Sequence, residues 1–77
     1  MLTSEQIRAA RALLRWDQKR LAAAANISVE TIKRLEKTPG WVSAYTGTVE
    51  AITKALEDAG VAFTNDDEPG VRLRRRR

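Results

Sequence analysis

Neither cysteine nor histidine occurs among the 77 residues of the chain. The first absence excludes a disulfide framework and a thiolate metal site. The second leaves a catalytic triad, a zinc site or an imidazole acid–base pair hard to build. The carboxylates fall on solvent-facing or acidic-surface positions, so no catalytic residue, metal or cofactor is expected and the chain does not read as an enzyme. No apolar run approaches the ~20 residues that a membrane span needs. The start lacks the charged region and continuous apolar stretch of a signal peptide. The expected setting is the cytoplasm, with no membrane partner. A chain of this length holds one folding unit and buries only ~60% of its unfolded surface, so a lean core is expected.

Charge is present in quantity, and its placement says more than the net value of +4. Between Arg8 and Lys37 eight basic residues face only Asp17, Glu30 and Glu36. Between Thr48 and Glu68 six acids face only Lys54, and the end of the chain carries Arg72, Arg74, Arg75, Arg76 and Arg77. One part of the chain attracts a polyanion and another repels it, as in a protein that docks on nucleic acid through one face. Ordinary solvated surface is the competing explanation of the same charges.

Periodicity divides the chain into short helices. Thr3-Ser4-Glu5-Gln6 reads as a capping box, followed by Ile7, Ala10 and Leu14 at helical spacing. Arg11 falls on that apolar stripe and therefore needs a buried partner. Asp17 suits the N-cap of a second helix, Gln18 to Ala25, whose Leu21, Ala22 and Ala25 share one face. Those small side chains let another helix approach closely. Asn26 stands where the chain must turn, and asparagine tolerates the left-handed conformation of a tight helix end. Ser28 suits the N-cap of a third helix, Val29 to Lys37, with Ile32 and Leu35 inward, Ile27 under the turn, and Glu30, Thr31, Lys33, Arg34 and Lys37 outward. Pro39-Gly40 stops it. A loop from Thr38 to Gly47 leads to Thr48, the expected cap of a fourth helix, Val49 to Ala59, with Val49, Ile52 and Leu56 inward and Gly60 at its end. Beyond it, Val61-Ala62-Phe63 and Val71-Arg72-Leu73-Arg74 alternate in twos, as strands do, with Asn65-Asp66 and Pro69-Gly70 as turn formers between them. The last three arginines are expected to be disordered. The expectation is an all-α, compact four-helix domain over residues 1–60. A C-terminal extension over residues 61–77 forms either a short β-hairpin or a dimer strand.

Two short helices joined by a tight turn, the second with a basic and polar outer side, make the helix-turn-helix layout, in which the second helix enters the major groove. The run Trp16-Asp17-Gln18-Lys19-Arg20-Leu21-Ala22-Ala23-Ala24-Ala25-Asn26-Ile27-Ser28, with Thr31-Ile32-Lys33-Arg34-Leu35-Glu36 after it, resembles the Cro/phage-repressor (XRE) helix-turn-helix family of small bacterial transcriptional regulators. The resemblance covers roughly residues 4–60. It departs at Asn26, where the family usually has glycine. It implies sequence-specific binding of double-stranded DNA, most simply as a repressor associated with the nucleoid, and a homodimer on a palindromic site.

The resemblance also implies roles. Gln18 matches a position used on phosphate and base. Val29, Glu30 and Arg34 match base-facing positions, with Thr31 and Lys33 beside them. Lys19, Ser28 and Lys37 complete the expected DNA-facing set, together with Tyr45, in a loop that runs along the phosphate backbone in the family. Chemistry fits in part: arginine can donate twice to guanine, glutamate can accept from a cytosine amino group, and valine can touch a thymine methyl. Bland alternatives stand beside these roles. Glu30 can simply stabilise a helix start, and Gln18 can be helix filler. Trp41 and Tyr45 are read in preference as sealing the core, and Trp16 as packing. Matching positions in the family form a semi-buried ion pair, so Arg11 and Glu36 are expected to pair structurally. Val61, Phe63, Val71, Leu73 and Arg74 are candidate dimer or tail contacts. The alternative function is an antitoxin or anti-activator module whose basic tail grips a protein partner.

Overall fold

Helix α1 (Ser4–Leu14) begins on Thr3, whose Oγ1 accepts the Gln6 N–H at 3.0 Å while Gln6 Oε1 accepts the Thr3 N–H at 2.9 Å. This capping box satisfies donors that a helix start otherwise leaves orphaned. The computed structural model describes residues 2–64 and 67–74. The helix ends at Arg15 in the left-handed region (φ 59°), a conformation that glycine adopts without the steric cost an L side chain meets. Arg15→Gly is therefore expected to stabilise the protein by about 0.5–1 kcal/mol and raise Tm by a few degrees. A fall in Tm would show that Arg15 makes a compensating contact.

Helix α2 (Gln18–Ala25) starts on Asp17, which accepts the Arg20 N–H at 2.8 Å. It closes on Asn26 at φ 58°, and the Ile27 N–H donates to the Ala22 carbonyl at 2.9 Å. Helix α3 (Val29–Lys37) starts on Ser28, whose Oγ accepts the Thr31 N–H at 3.2 Å. Ser28→Ala removes that acceptor and should cost about 1 kcal/mol of stability, measurable by urea unfolding.

The fourth helix begins earlier than its composition suggests. Helix α4 runs Thr46–Asp58, with Tyr45 at the cap position and no side-chain cap, so Thr48 lies inside the first turn. The Tyr45 carbonyl accepts the N–H groups of both Thr48 and Val49. Backbone geometry alone sets this start. A good capping residue such as Thr48 marks where a helix can begin, and the apolar stripe it precedes does not limit the helix to that point.

Strands β1 (Val61–Thr64) and β2 (Gly70–Leu73) pair antiparallel, with Val61 opposite Leu73 and Phe63 opposite Val71. The fold is thus mostly helical with a two-stranded sheet, not purely α. The hairpin shares the helices' core. Val61 is fully buried, Phe63 and Val71 pack against the core, and the buried Gln6 donates through Nε2 to the Thr64 and Gly70 carbonyls at 3.1 Å each. A lone hairpin is marginal in water, and this docking stabilises it. The turn at Asn65-Asp66 and the state of Arg75, Arg76 and Arg77 lie outside the described residues.

The core gathers Leu2, Ile7, Ala10, Leu21, Ala22, Ala25, Ile32, Leu35, Ile52, Ala55, Leu56 and Val61. Helix α2 packs on α3 and α4, and α1 packs on α3 and the hairpin. Before α1, Leu2 and Thr3 run beside the loop after α3. The Val42 N–H donates to the Leu2 carbonyl, and the Ser4 N–H donates to the Gly40 carbonyl at 2.8 Å. The Gly40 N–H in turn donates to Glu5 Oε1 at 3.1 Å. No helix among the described residues is long and apolar enough to cross a membrane.

Hydrogen bonds from backbone N–H groups, its own and that of Gly40, hold the Glu5 carboxyl below the usual glutamate range. A depressed folded pKa contributes stability above the unfolded pKa, and that contribution is lost as pH falls through the folded value. Glu5→Gln is thus expected to melt below the wild type at neutral pH. The gap should close as both are acidified through the carboxylate range. A gap that is constant with pH would mean the ionised form is not what Gly40 binds.

Candidate nucleic-acid interface

Helix α3 divides its residues sharply. Ile32, Leu35 and Glu36 are buried against the body, while Glu30, Lys33, Arg34 and Lys37 are exposed. The spacing of three and four residues accounts for this, since it keeps the apolar pair on one side. The close approach of α2 comes from Ala22 and Ala25, both buried, and from Leu21 beside them.

The buried Glu36 would be costly alone, and four donors surround it. Arg11 Nε donates to Oε2 at 2.8 Å and Arg11 Nη2 to Oε1 at 2.7 Å, a two-pronged ion pair. Gln18 Nε2 donates to Oε1 at 3.1 Å. Arg8 Nη1 donates to the Glu36 carbonyl, near the end of α3 where helix carbonyls lack helical partners. Arg11 Nη1 also donates to the Trp16 carbonyl at 3.0 Å. The Glu36 side chain is 4% exposed and that of Arg11 19%. The carboxylate raises the Arg11 pKa through its hydrogen bonds, against the opposing effect of desolvation. One cluster therefore ties α1, the start of α2 and the end of α3 together.

The expected DNA-facing residues are distributed as follows. Lys19, Ser28, Glu30, Lys33, Arg34 and Lys37 are exposed, and Gln18, Val29 and Thr31 are half-buried. Val29 packs against the core with part of its surface. The hydroxyls of Ser28 and Thr31 lie 2.9 Å apart. Lys33 Nζ is 3.9 Å from Glu30 on the helix surface, a contact that contributes little in water. Among the described residues Arg34 has neither an ion pair nor a hydrogen-bond partner. It borders a shallow cleft of about 360 Å³ together with Ser43, Ala44, Tyr45 and Thr48.

The two loop aromatics do not seal the core, contrary to the sequence expectation. Tyr45 is 87% exposed and Trp41 52%. Val42 and Ala44 pack inward in their place. Trp41 sits where the backbone bridges to Thr3, a pairing that fixes its position without burying its ring. Trp16 does pack against the core, and the Arg20 guanidinium lies 5.0 Å from its ring centre. Sequence reasoning missed Arg8, which donates to the Glu36 carbonyl and lies 3.8 Å from Glu5, and Ser43 in the loop and Thr48 in the first turn of α4, which line the cleft with Arg34.

Of the candidate dimer or tail contacts, Val61 is unavailable, because it has no exposed surface to offer a partner. Phe63 and Val71 are half-buried on their own core. Leu73 is 49% exposed, and Arg74 is exposed beside it.

No known protein-family model matches the chain, and no curated protein matches it.

Proposed function

We propose that this protein binds double-stranded DNA sequence-specifically, laying α3 in the major groove, and acts as a cytoplasmic transcriptional regulator of the repressor type. The observation that carries this reading is the α2–α3 unit. A left-handed Asn26 joins two short helices, and the second presents Lys33, Arg34 and Lys37 outward while a buried ion pair braces its inner side. Such a helix end, rigid from behind and cationic in front, meets the demands of groove recognition. The helix-turn-helix resemblance of residues 16–36 points the same way. A homodimer on a palindrome completes the proposal, because one domain of this size makes too few contacts for useful genomic specificity.

The test is selection from a pool of random duplexes at two salt concentrations. Enrichment of a palindromic motif is expected. Motif-free binding that collapses with salt would overturn the sequence-specific reading, since phosphate contacts alone carry no sequence information. A protein-partner role through the C-terminal tail is the second reading, and the exposed Leu73 between Arg72 and Arg74 favours it. Trimming residues 74–77 should leave operator binding within severalfold of the full chain under the first reading.

A further inference from the structure

We propose that Glu36 is a positioning residue for Gln18, so that the buried ion pair sets DNA affinity through a hydrogen bond that reaches the backbone-facing start of α2. The inference rests on the DNA-binding reading above. Gln18 is the first residue of α2 and is half-buried. Its Nε2 donates one N–H to Glu36 Oε1 at 3.1 Å, and that oxygen is itself fixed by Arg11 Nη2 at 2.7 Å. A primary amide carries two N–H groups. The second makes no hydrogen bond among the described residues, and Gln18 is followed by the exposed Lys19.

A glutamine side chain free in water samples many rotamers, and ordering it on binding opposes affinity. Here the ordering is done in advance by a buried carboxylate that Arg11 grips through both of its oxygens. The remaining N–H is thereby presented to a phosphate oxygen, a charge-assisted contact. Gln18 is neutral and releases no counterion, so its contribution is independent of salt, unlike that of Lys19.

The test combines nitrogen-15 NMR of the free protein with titration of a short mixed-sequence duplex at several salt concentrations. Three variants are compared with the wild type: Gln18→Met, the charge-neutral pair replacement Arg11→Met with Glu36→Leu, and all three changes together. The expected result has three parts. The Gln18 side-chain amide signals are displaced in the wild type and move to the free-amide position in the pair replacement. Gln18→Met and the pair replacement each weaken binding about tenfold with an unchanged salt slope. The triple variant is no weaker than either. If the pair replacement does not fold, the wild-type spectrum decides, and Gln18 amide signals at the free-amide position overturn the inference. Losses that multiply in the triple variant, or a folded pair replacement that binds as tightly as wild type, would overturn the inference while leaving DNA binding intact. A wild type that binds no duplex at low salt would remove the DNA-binding reading itself and the inference with it.

Discussion

Arg11→Ala should destabilise the protein by about 3–5 kcal/mol. The variant leaves the Glu36 carboxylate with only the Gln18 amide as a side-chain partner, in a site where it is 4% exposed. It also leaves the Trp16 carbonyl without the Nη1 donor. Total stability of a small domain is of the order of 5–15 kcal/mol, so this one change could unfold a substantial fraction of the molecules at physiological temperature. Calorimetric melts of the two proteins at neutral pH are the measurement. A difference near zero would mean that water reaches Glu36 and that the pair is not buried in solution. The companion result separates attraction from stranding. Replacing both partners with apolar residues removes the charge that the single change strands, so Arg11→Met with Glu36→Leu should lie much closer to wild type than Arg11→Ala does.

That pair was legible in the sequence because a charge on an apolar stripe demands a partner, and the family resemblance pointed to Glu36. Its further connections were not legible. Gln18 is eighteen residues from Glu36, and nothing in periodicity says which residue at a helix start will turn inward. Gln6 shows the same limit. Its capping role is local and readable, but its bonds to Thr64 and Gly70 span 58 and 64 residues and depend on where the hairpin docks. The ends of α2 and α3 were readable because Asp17, Asn26 and Ser28 each act on their own neighbours. The start of α4 was not, because the Tyr45 backbone makes it without a side chain. Trp41 and Tyr45 misled for a related reason. Large aromatics favour burial on average, and the chain spends its inward positions in that loop on Val42 and Ala44 instead. The division of α3 into inner and outer residues, on which the proposed interface depends, follows from spacing alone.

Under the proposed DNA-binding function, Arg34→Ala is expected to reduce operator binding by about 1–3 kcal/mol, roughly five- to more than a hundredfold, and to relax the preference at one base-pair position in each proposed half-site. Three properties single out Arg34 among the exposed cations. It has no partner within the protein among the described residues, so its guanidinium need not leave an ion pair to reach a base. It lies on the outer side of α3, one residue before the buried Leu35, where the backbone is held by packing. And it flanks a cleft shared with Ser43, Tyr45 and Thr48, which leaves its side chain room to extend. Lys33 gives the contrast. It is a point charge near Glu30, and its loss should weaken binding to all sequences alike and lower the salt slope by about one. Titrations of the selected operator and of single-position variants, at two salt concentrations, distinguish the two behaviours. Uniform weakening by Arg34→Ala across every sequence would place Arg34 on a phosphate, and the base-reading role would then have to lie with other residues of α3.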